Sequence, residues 1–522
     1  MLRGWAGSQL RIDLSTRQIE KESLCPDDLQ SWIGGRGLNV NIFSNGTGPG
    51  LDPFHPETPF SLAVGPLTGS CAPCAAITCV TSRSPLLEPH TYANVSMGGH
   101  WGPELKFAGY DQLVITGKGD EPTYIWIEDD DVELREATHL WGKNIAQTTV
   151  LIQEELGDRR IQVLCIGPAG ERLVRYATLV NSFCWDSGSL GLGAVMGSKN
   201  LKAVAVRGTR AVGVAEPERL AKLSQRLMDA VEKDARTRQL STEGTLLILR
   251  NTYGELLNGQ GESGSGHPKN FNSKYYHRNY FFTKEGCFSC PINCGRYTYI
   301  KSGPFGGSHF GGLNGESVIA LGAGIGNFRW DYILKMVQSC ILYGLDPVST
   351  GGTIAWAMNS FEKGLLTENE TDNIALHWGD PDGALELINR IAARRGIGEV
   401  LAEGALRASK ILGRGTERLV PHIKGLKQNS TGPTELGRTP EAVNRIEEVK
   451  CAADLSGVCS LPYARFPALS TSDLAEQLTA VSGLPTAEED LLRISERVIQ
   501  LERAVAVRDG IGRTEEIARF SS

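Results

Sequence analysis

Three cysteines in one short stretch, Cys287-Phe-Ser-Cys290-Pro-Ile-Asn-Cys294, constrain this chain more than any other feature. Two residues separate the first pair and three the second, so three sulfurs can converge from one loop on a single metal centre. Cysteine thiolates hold iron–sulfur clusters in this way. Pro291 and Gly295 oppose a regular helix or strand through the loop. Three thiols fall one short of a four-cysteine site, so a fourth ligand has to come from elsewhere in the chain. A structural zinc knuckle and a set of simply buried thiols are the alternatives at this level.

Composition narrows the setting. A chain of 522 residues exceeds one ordinary core and points to about three domains. With 41% hydrophobic and 22% charged residues and a net charge of −7, it reads as an ordinary globular protein. Nothing in that balance calls for nucleic acid or an anionic membrane as partner. Twelve cysteines without a regular framework, in a long chain with no secretion leader, read as reduced thiols and metal ligands in the cytoplasm. No apolar run approaches the length of a membrane span.

The periodicity divides the chain and predicts an α+β protein. Residues 1–208 read as a β-sheet-rich domain, with strand-like runs at Gln9–Leu14, Phe60–Val64, Ile77–Thr81, Leu113–Thr116, Tyr124–Glu128, Val163–Ile166 and Ala203–Val206. Glycine-rich turns interrupt them at Gly34–Gly37, Gly65–Gly69, Gly98–Gly102 and Gly188–Gly193. Such loops can present backbone amides to an anion, phosphate above all, although tight sheet turns also use glycine. Neither a dinucleotide fingerprint nor a Walker loop is among them. From Pro217 the apolar period becomes helical, giving two mainly helical domains over 209–420 and 421–522. An aromatic loop, Gly259–Phe282, is expected to pack over the cysteines that follow it.

These segments carry a resemblance. Ile33-Gly-Gly-Arg-Gly-Leu38, Gly65-Pro-Leu-Thr-Gly69, Pro103–Asp111, Leu140-Trp-Gly-Lys143, Ile166–Glu171 and Gly193–Lys199 resemble, in order and spacing, the aldehyde:ferredoxin oxidoreductases. The likeness continues through the three cysteines, Gly344–Thr350, Gly398–Gly404, Asp454–Cys459 and Leu501–Arg503. It implies a tungsten (or molybdenum) bis-pterin enzyme that oxidises an aldehyde to a carboxylic acid, passing electrons through a [4Fe–4S] cluster to ferredoxin or another small carrier. It also implies a fourth cluster ligand, Cys459, with Cys451 as the nearby competitor. Pterin contacts are implied at Arg36, Gly37, Gly98, Gly99, Lys199, Asp346, Asp454 and Gly457. Asn94 matches the position at a Mg2+ bridging the pterin phosphates. A homodimer or a partner iron–sulfur subunit is the assembly to be expected.

Glu316 aligns with the family's active-site glutamate, with a helix-start carboxylate as the plain alternative. The chain departs from the pattern elsewhere. No histidine follows His422, so the catalytic histidine is vacant or replaced, and the stretch that should carry it is compressed into residues 424–450. A basic residue expected after Pro73 is absent, Ser189 stands where an arginine is expected, and the chain ends soon after Arg513. His100 is the candidate substitute base, with His309 and His422 behind it. The departures predict a retained scaffold and cluster with a remodelled substrate pocket, or a paralogue that only carries electrons.

Overall fold

The computed structural model describes residues 2–254, 268–420, 422–423, 426–427 and 439–512. Its first part is built on two sheets. One holds β1 (Ser8–Asp13), β2 (Gln18–Ser23), β3 (Phe60–Val64), β4 (Thr78–Arg83), β5 (Tyr92–Met97) and β6 (Gln112–Thr116). The other holds β7 (Thr123–Glu128), β8 (Asp131–Glu136), β9 (Gln162–Ile166), β10 (Leu179–Asn181), β11 (Trp185–Asp186) and β12 (Leu201–Arg207). Their spatial orders are 2-1-6-3-4-5 and 8-7-12-9-10-11. Adding six to each strand number converts the first order into the second. Direction repeats as well: β1–β6 and β7–β12 are parallel, and the other neighbours are antiparallel. The two sheets share one topology, and β5 and β11 are their equivalent edges.

Alternation explains how the sheets are joined. Leu10, Ile12, Phe60, Leu62 and Val64 share one core with Ile125, Ile127, Leu164, Ile166, Val204 and Val206. The Trp101–Ala108 helix enters this core, and the Trp101 indole donates to the Val204 carbonyl at 2.9 Å. All seven expected strands are present. β2, β5, β8, β10 and β11 were not foreseen; in β2 and β8, Gln-Ile-Glu-Lys-Glu-Ser and Asp-Val-Glu-Leu-Arg-Glu carry charges at solvent-facing positions of edge strands.

Three of the glycine-rich turns lead into helices, Gly35–Gly46, Trp101–Ala108 and Leu192–Ser198. A Cβ on Gly37 would lie 2.1 Å from the Trp32 carbonyl, and one on Gly193 would lie 2.6 Å from that of Thr178. These glycines are required for close backbone packing.

The helices after Pro217 form two groups. Gly315–Leu321, Trp330–Tyr343, Pro347–Glu362, Pro381–Ala393 and Ala405–Leu412 pack with Tyr176, Ala177 and Ala194 of the second sheet's connections. Pro217–Lys233, Pro440–Ser456, Thr471–Ser482 and Glu488–Arg508 pack with Val40 and Phe43 of the Gly35–Gly46 helix. The expected aromatic cover on the cysteine loop is not what its described part forms. Tyr275, Tyr276 and Tyr280 gather around Trp330 instead, because that large buried ring offers them apolar area. Residues 424, 425 and 428–438 of the compressed segment, Arg513 and the His422 side chain lie outside the described residues. Among the described residues, no helix is long and apolar enough to cross a membrane.

Candidate functional site

The three cysteines occupy a hairpin tip. β13 (Phe281–Glu285) pairs with β14 (Gly295–Tyr299), Glu285 opposite Gly295, and residues 286–294 close the turn. Ser289 and Asn293 take left-handed backbone angles, φ 52° and 49°, which the tight reversal requires. The tip is fastened from outside: Phe288 N donates to Gly99 O at 3.2 Å, and Cys74 N donates to Ser289 O at 2.7 Å. A Cβ on Gly98 would lie 2.7 Å from Cys287 Sγ, so glycine there leaves room for the sulfur.

Cys459 reaches the same place from the other end of the chain. The Pro440–Ser456 helix stops at Gly457, whose φ of 85° reverses the chain, and Cys459 N then donates to Cys74 O at 3.0 Å. Its thiol senses Cys290 and Cys294, and Cys287 senses Cys290, Cys294 and Cys459. Burial, then the neighbouring sulfurs, pushes Cys287 and Cys459 upward, and Cys294 upward to about 12. Cys290 moves the other way, to about 7, because the Cys74 thiol donates to it across 3.7 Å. Buried thiols that repel one another as thiolates favour a positive centre among them, which a metal cluster supplies. The donor set fits such a group. Cys451, the competitor, turns away toward the Ser495 carbonyl at 3.7 Å.

A cavity of about 600 Å³ begins at these sulfurs. Cys287, Cys294 and Cys459 line it, as do Asn94, Val95 and Ser96 of β5 and Trp185, Asp186 and Ser187 at β11. The two equivalent sheet edges therefore both open on it. Lys450 and Asp454 line the same space, with Lys450 Nζ 2.7 Å from Asp454 Oδ2. Burial pulls the Lys450 ammonium down, but Asp454 outweighs it and the net shift is upward. Burial pushes Asp186 up to about 6, aided by Asp346 and Glu316 and opposed by the Gly188 amide at 2.9 Å. Sequence reasoning missed Asp186: a lone acid on a two-residue strand has no pattern to show. It also missed Arg407, a cation at the cavity that also hosts Ser189.

The family model for the aldehyde ferredoxin oxidoreductase N-terminal domain matches residues 9–208, and the model for domains 2 and 3 matches 222–439 and 427–519. The chain belongs to the aldehyde ferredoxin oxidoreductase family. It is an oxidoreductase. A tungsten-containing aldehyde ferredoxin oxidoreductase of Pyrococcus furiosus is 33% identical to it, over 98% of this chain and 90% of that one. An aliphatic sulfonate oxidoreductase, WOR-like subunit, from the same organism is 27% identical, over 97% and 86%. The fold matches the active site complex of benzoyl coenzyme A reductase with 1,5-dienoyl-CoA at a TM-score of 0.88 and 24% identity, over 99% and 91% of the two chains.

Within this member of the family, the expected site residues fall into two groups. Asn94, Gly98, Asp454 and the cysteines 287, 294 and 459 line the cavity. Gly457 makes the turn before Cys459, and Gly99 carries the carbonyl that holds Phe288. Arg36 is placed otherwise: its guanidinium grips Glu502, Nε to Oε1 at 2.7 Å, with Asp454 3.9 Å away. Gly37 lies in the same helix. Lys199 donates to the carbonyls of Pro56 at 2.7 Å and Gly117 at 3.3 Å. None of these three lines the cavity.

Asp346 caps the Pro347–Glu362 helix, accepting from Ser349 N at 2.7 Å, beside Val348 and Ser349 at the cavity wall. Glu316 sits in the first turn of its helix, 3.8 Å from Arg465, where its charge reaches both Asp186 and Cys294. His100 spends its Nε2 on the Gly286 carbonyl at 3.2 Å and so braces the cysteine hairpin. His309 is bonded to Tyr297 at 2.6 Å, on the surface.

Proposed function

We propose that this chain is a tungsten (or molybdenum) bis-pterin oxidoreductase. It would convert an aldehyde to a carboxylic acid, or the reverse, and exchange electrons with ferredoxin or another small carrier through a [4Fe–4S] cluster on Cys287, Cys290, Cys294 and Cys459. One observation carries the reading: a single cavity runs from three of those sulfurs to the matching edges of two like sheets. A pterin pair seated there would have one sheet edge for each half and the cluster at one end. Lys450 and Arg407 supply positive charge for phosphorylated pterin tails, Asp454 accepts from a pterin edge, and Asn94 would stand beside a bridging Mg2+. The 33% identity to a tungsten-containing aldehyde ferredoxin oxidoreductase supports the same reading.

The metal pterin would supply the two-electron chemistry. The protein's own residues then handle binding and protons. Oxidising an aldehyde adds one oxygen from water, releases protons and sends out two electrons. Asp186, a carboxyl poised at about 6 on the cavity wall, is suited to take one of those protons. Glu316 tunes it by charge. His100, spent on the Gly286 carbonyl of the hairpin, does not line this cavity.

A second reading, a non-aldehyde substrate, is favoured by two observations. No histidine follows His422, and a relative of almost full coverage is named for aliphatic sulfonates. Metal analysis of anaerobically purified protein tests the core proposal. About one tungsten or molybdenum and four irons per chain are expected by the cofactor chemistry; iron without a heavy metal would leave only an electron carrier. Viologen reduction assayed with aldehydes and with alkyl sulfonates then separates the two substrate classes.

A further inference from the structure

Five thiols meet at the cysteine cradle, one more than a cubane cluster uses, and we propose that Cys74 is a reserve ligand for the corner held by Cys290. The inference rests on the cluster reading above. Cys74 Sγ lies 3.7 Å from Cys290 Sγ. Its main chain ties the two halves of the cradle together: Cys74 N donates to Ser289 O at 2.7 Å, and Cys74 O accepts from Cys459 N at 3.0 Å. Cys74 is fully buried and holds a left-handed backbone, φ 62°, and its charge would reach Cys287 and Cys459 as well as Cys290.

The thiols outside the cradle behave differently. Cys79 is directed to the Asp454 carbonyl, Cys165 to that of Ile145, Cys184 to Glu285, Cys451 to the Ser495 carbonyl, and Cys71 to the Ser224 hydroxyl. None of these five has a cradle sulfur as its polar partner, whereas Cys74 does.

The exchange needs no outside reagent. The iron–sulfur bond to Cys290 breaks, one to Cys74 forms, and the Cys74 proton passes to Cys290 along the contact they already make. Iron oxidation states do not change. A cluster that can rest on either sulfur keeps four thiolate ligands while the hairpin tip shifts.

Cys290→Ala, Cys74→Ala, the double variant and Cys287→Ala, each reconstituted anaerobically, test this through iron and acid-labile sulfide content. The spectrum of the reduced cluster by electron paramagnetic resonance gives a readout independent of activity. Cys74→Ala is expected to match wild type, and Cys290→Ala to keep most of its iron with altered g values. The double variant is expected to lose its iron as fully as Cys287→Ala. Cys290→Ala losing as much iron as Cys287→Ala would overturn the proposal, as would a double variant that keeps what Cys290→Ala keeps. Cys290→Ser, with circular dichroism of every variant, separates ligand loss from misfolding. A wild-type protein that takes up no iron would instead remove the cluster reading itself.

Discussion

Lys450 and Asp454 stand one helical turn apart, Nζ to Oδ2 at 2.7 Å, and both face the cavity that the cysteine sulfurs close. The Lys450 side chain is 45% accessible although protein encloses it, because its accessible face opens on that cavity. An ion pair in such a place can spend its remaining hydrogen-bonding capacity on a ligand. Asp454→Asn removes the charge partner of Lys450 and an acceptor at the pterin edge. Tungsten or molybdenum per chain should fall roughly tenfold, the scale of losing one supporting contact at a metal site. Iron content should stay at the wild-type level. Loss of both metals together would show that Asp454 holds the fold and not the cofactor.

Asp186 supplies a pH prediction. If it accepts a proton during turnover, the rate should rise with pH through about 6, where its carboxyl ionises. Asp186→Asn should lose that limb and about 10²–10⁴ of the rate. Stability moves in the opposite sense. A carboxyl whose pKa is raised in the fold holds its extra proton between roughly pH 4 and 6, so stability declines across that window as pH increases. Asp186→Asn avoids the loss and should be the more stable protein at pH 7.5, by about 3 kcal/mol, with little difference near pH 4. A denaturation midpoint for the variant below wild type at pH 7.5 would contradict the buried-carboxyl account.

The hairpin loop was legible because metal-binding thiols must be close in sequence when they share a turn. Cys459 became legible only through its motif, since nothing local links it to a loop 165 positions earlier. The strand runs were visible in their alternation, yet the twinning of the sheets was not. It depends on pairings such as β1 with β6, which no short window contains. For the same reason Asp186 has no signature until β11 is seen as the counterpart of β5. Arg36 shows the converse. Gly-Arg-Gly suggested an anion loop, but the segment is helical and its arginine belongs to Glu502, a residue 466 positions away.

That Arg36–Glu502 pair joins the Gly35–Gly46 helix to the Glu488–Arg508 helix, and Tyr92 of β5 adds a hydrogen bond to Glu502 at 2.9 Å. The side chains are 9% and 6% accessible. Burial opposes the guanidinium's charge, and Glu502 more than compensates. Glu502→Ala leaves a buried cation without this partner and should cost about 3–5 kcal/mol. An Arg36→Met/Glu502→Leu pair, which removes both charges, should recover most of it. Denaturant midpoints for the two proteins check this; a single variant within about 1 kcal/mol of wild type would mean that Asp454 alone suffices for Arg36.

Cys451 and Cys459 offer the sharpest test of the cradle. Cys451 lies within the Pro440–Ser456 helix and turns its sulfur toward the Ser495 carbonyl on the neighbouring helix. Cys459 follows the left-handed Gly457, which reverses the chain and returns its thiol to the other three. Serine at 459 replaces a soft thiolate with a poor iron ligand, whereas serine at 451 alters a packing contact remote from the cradle. Cys459→Ser should lose most of its iron and acid-labile sulfide after anaerobic reconstitution, and Cys451→Ser should retain the wild-type content. The reverse pattern would transfer the fourth ligand to Cys451 and require the helix end to unwind around it. Equal retention in both variants would show that a cluster, if present, rests on three cysteines of the hairpin and a ligand other than either.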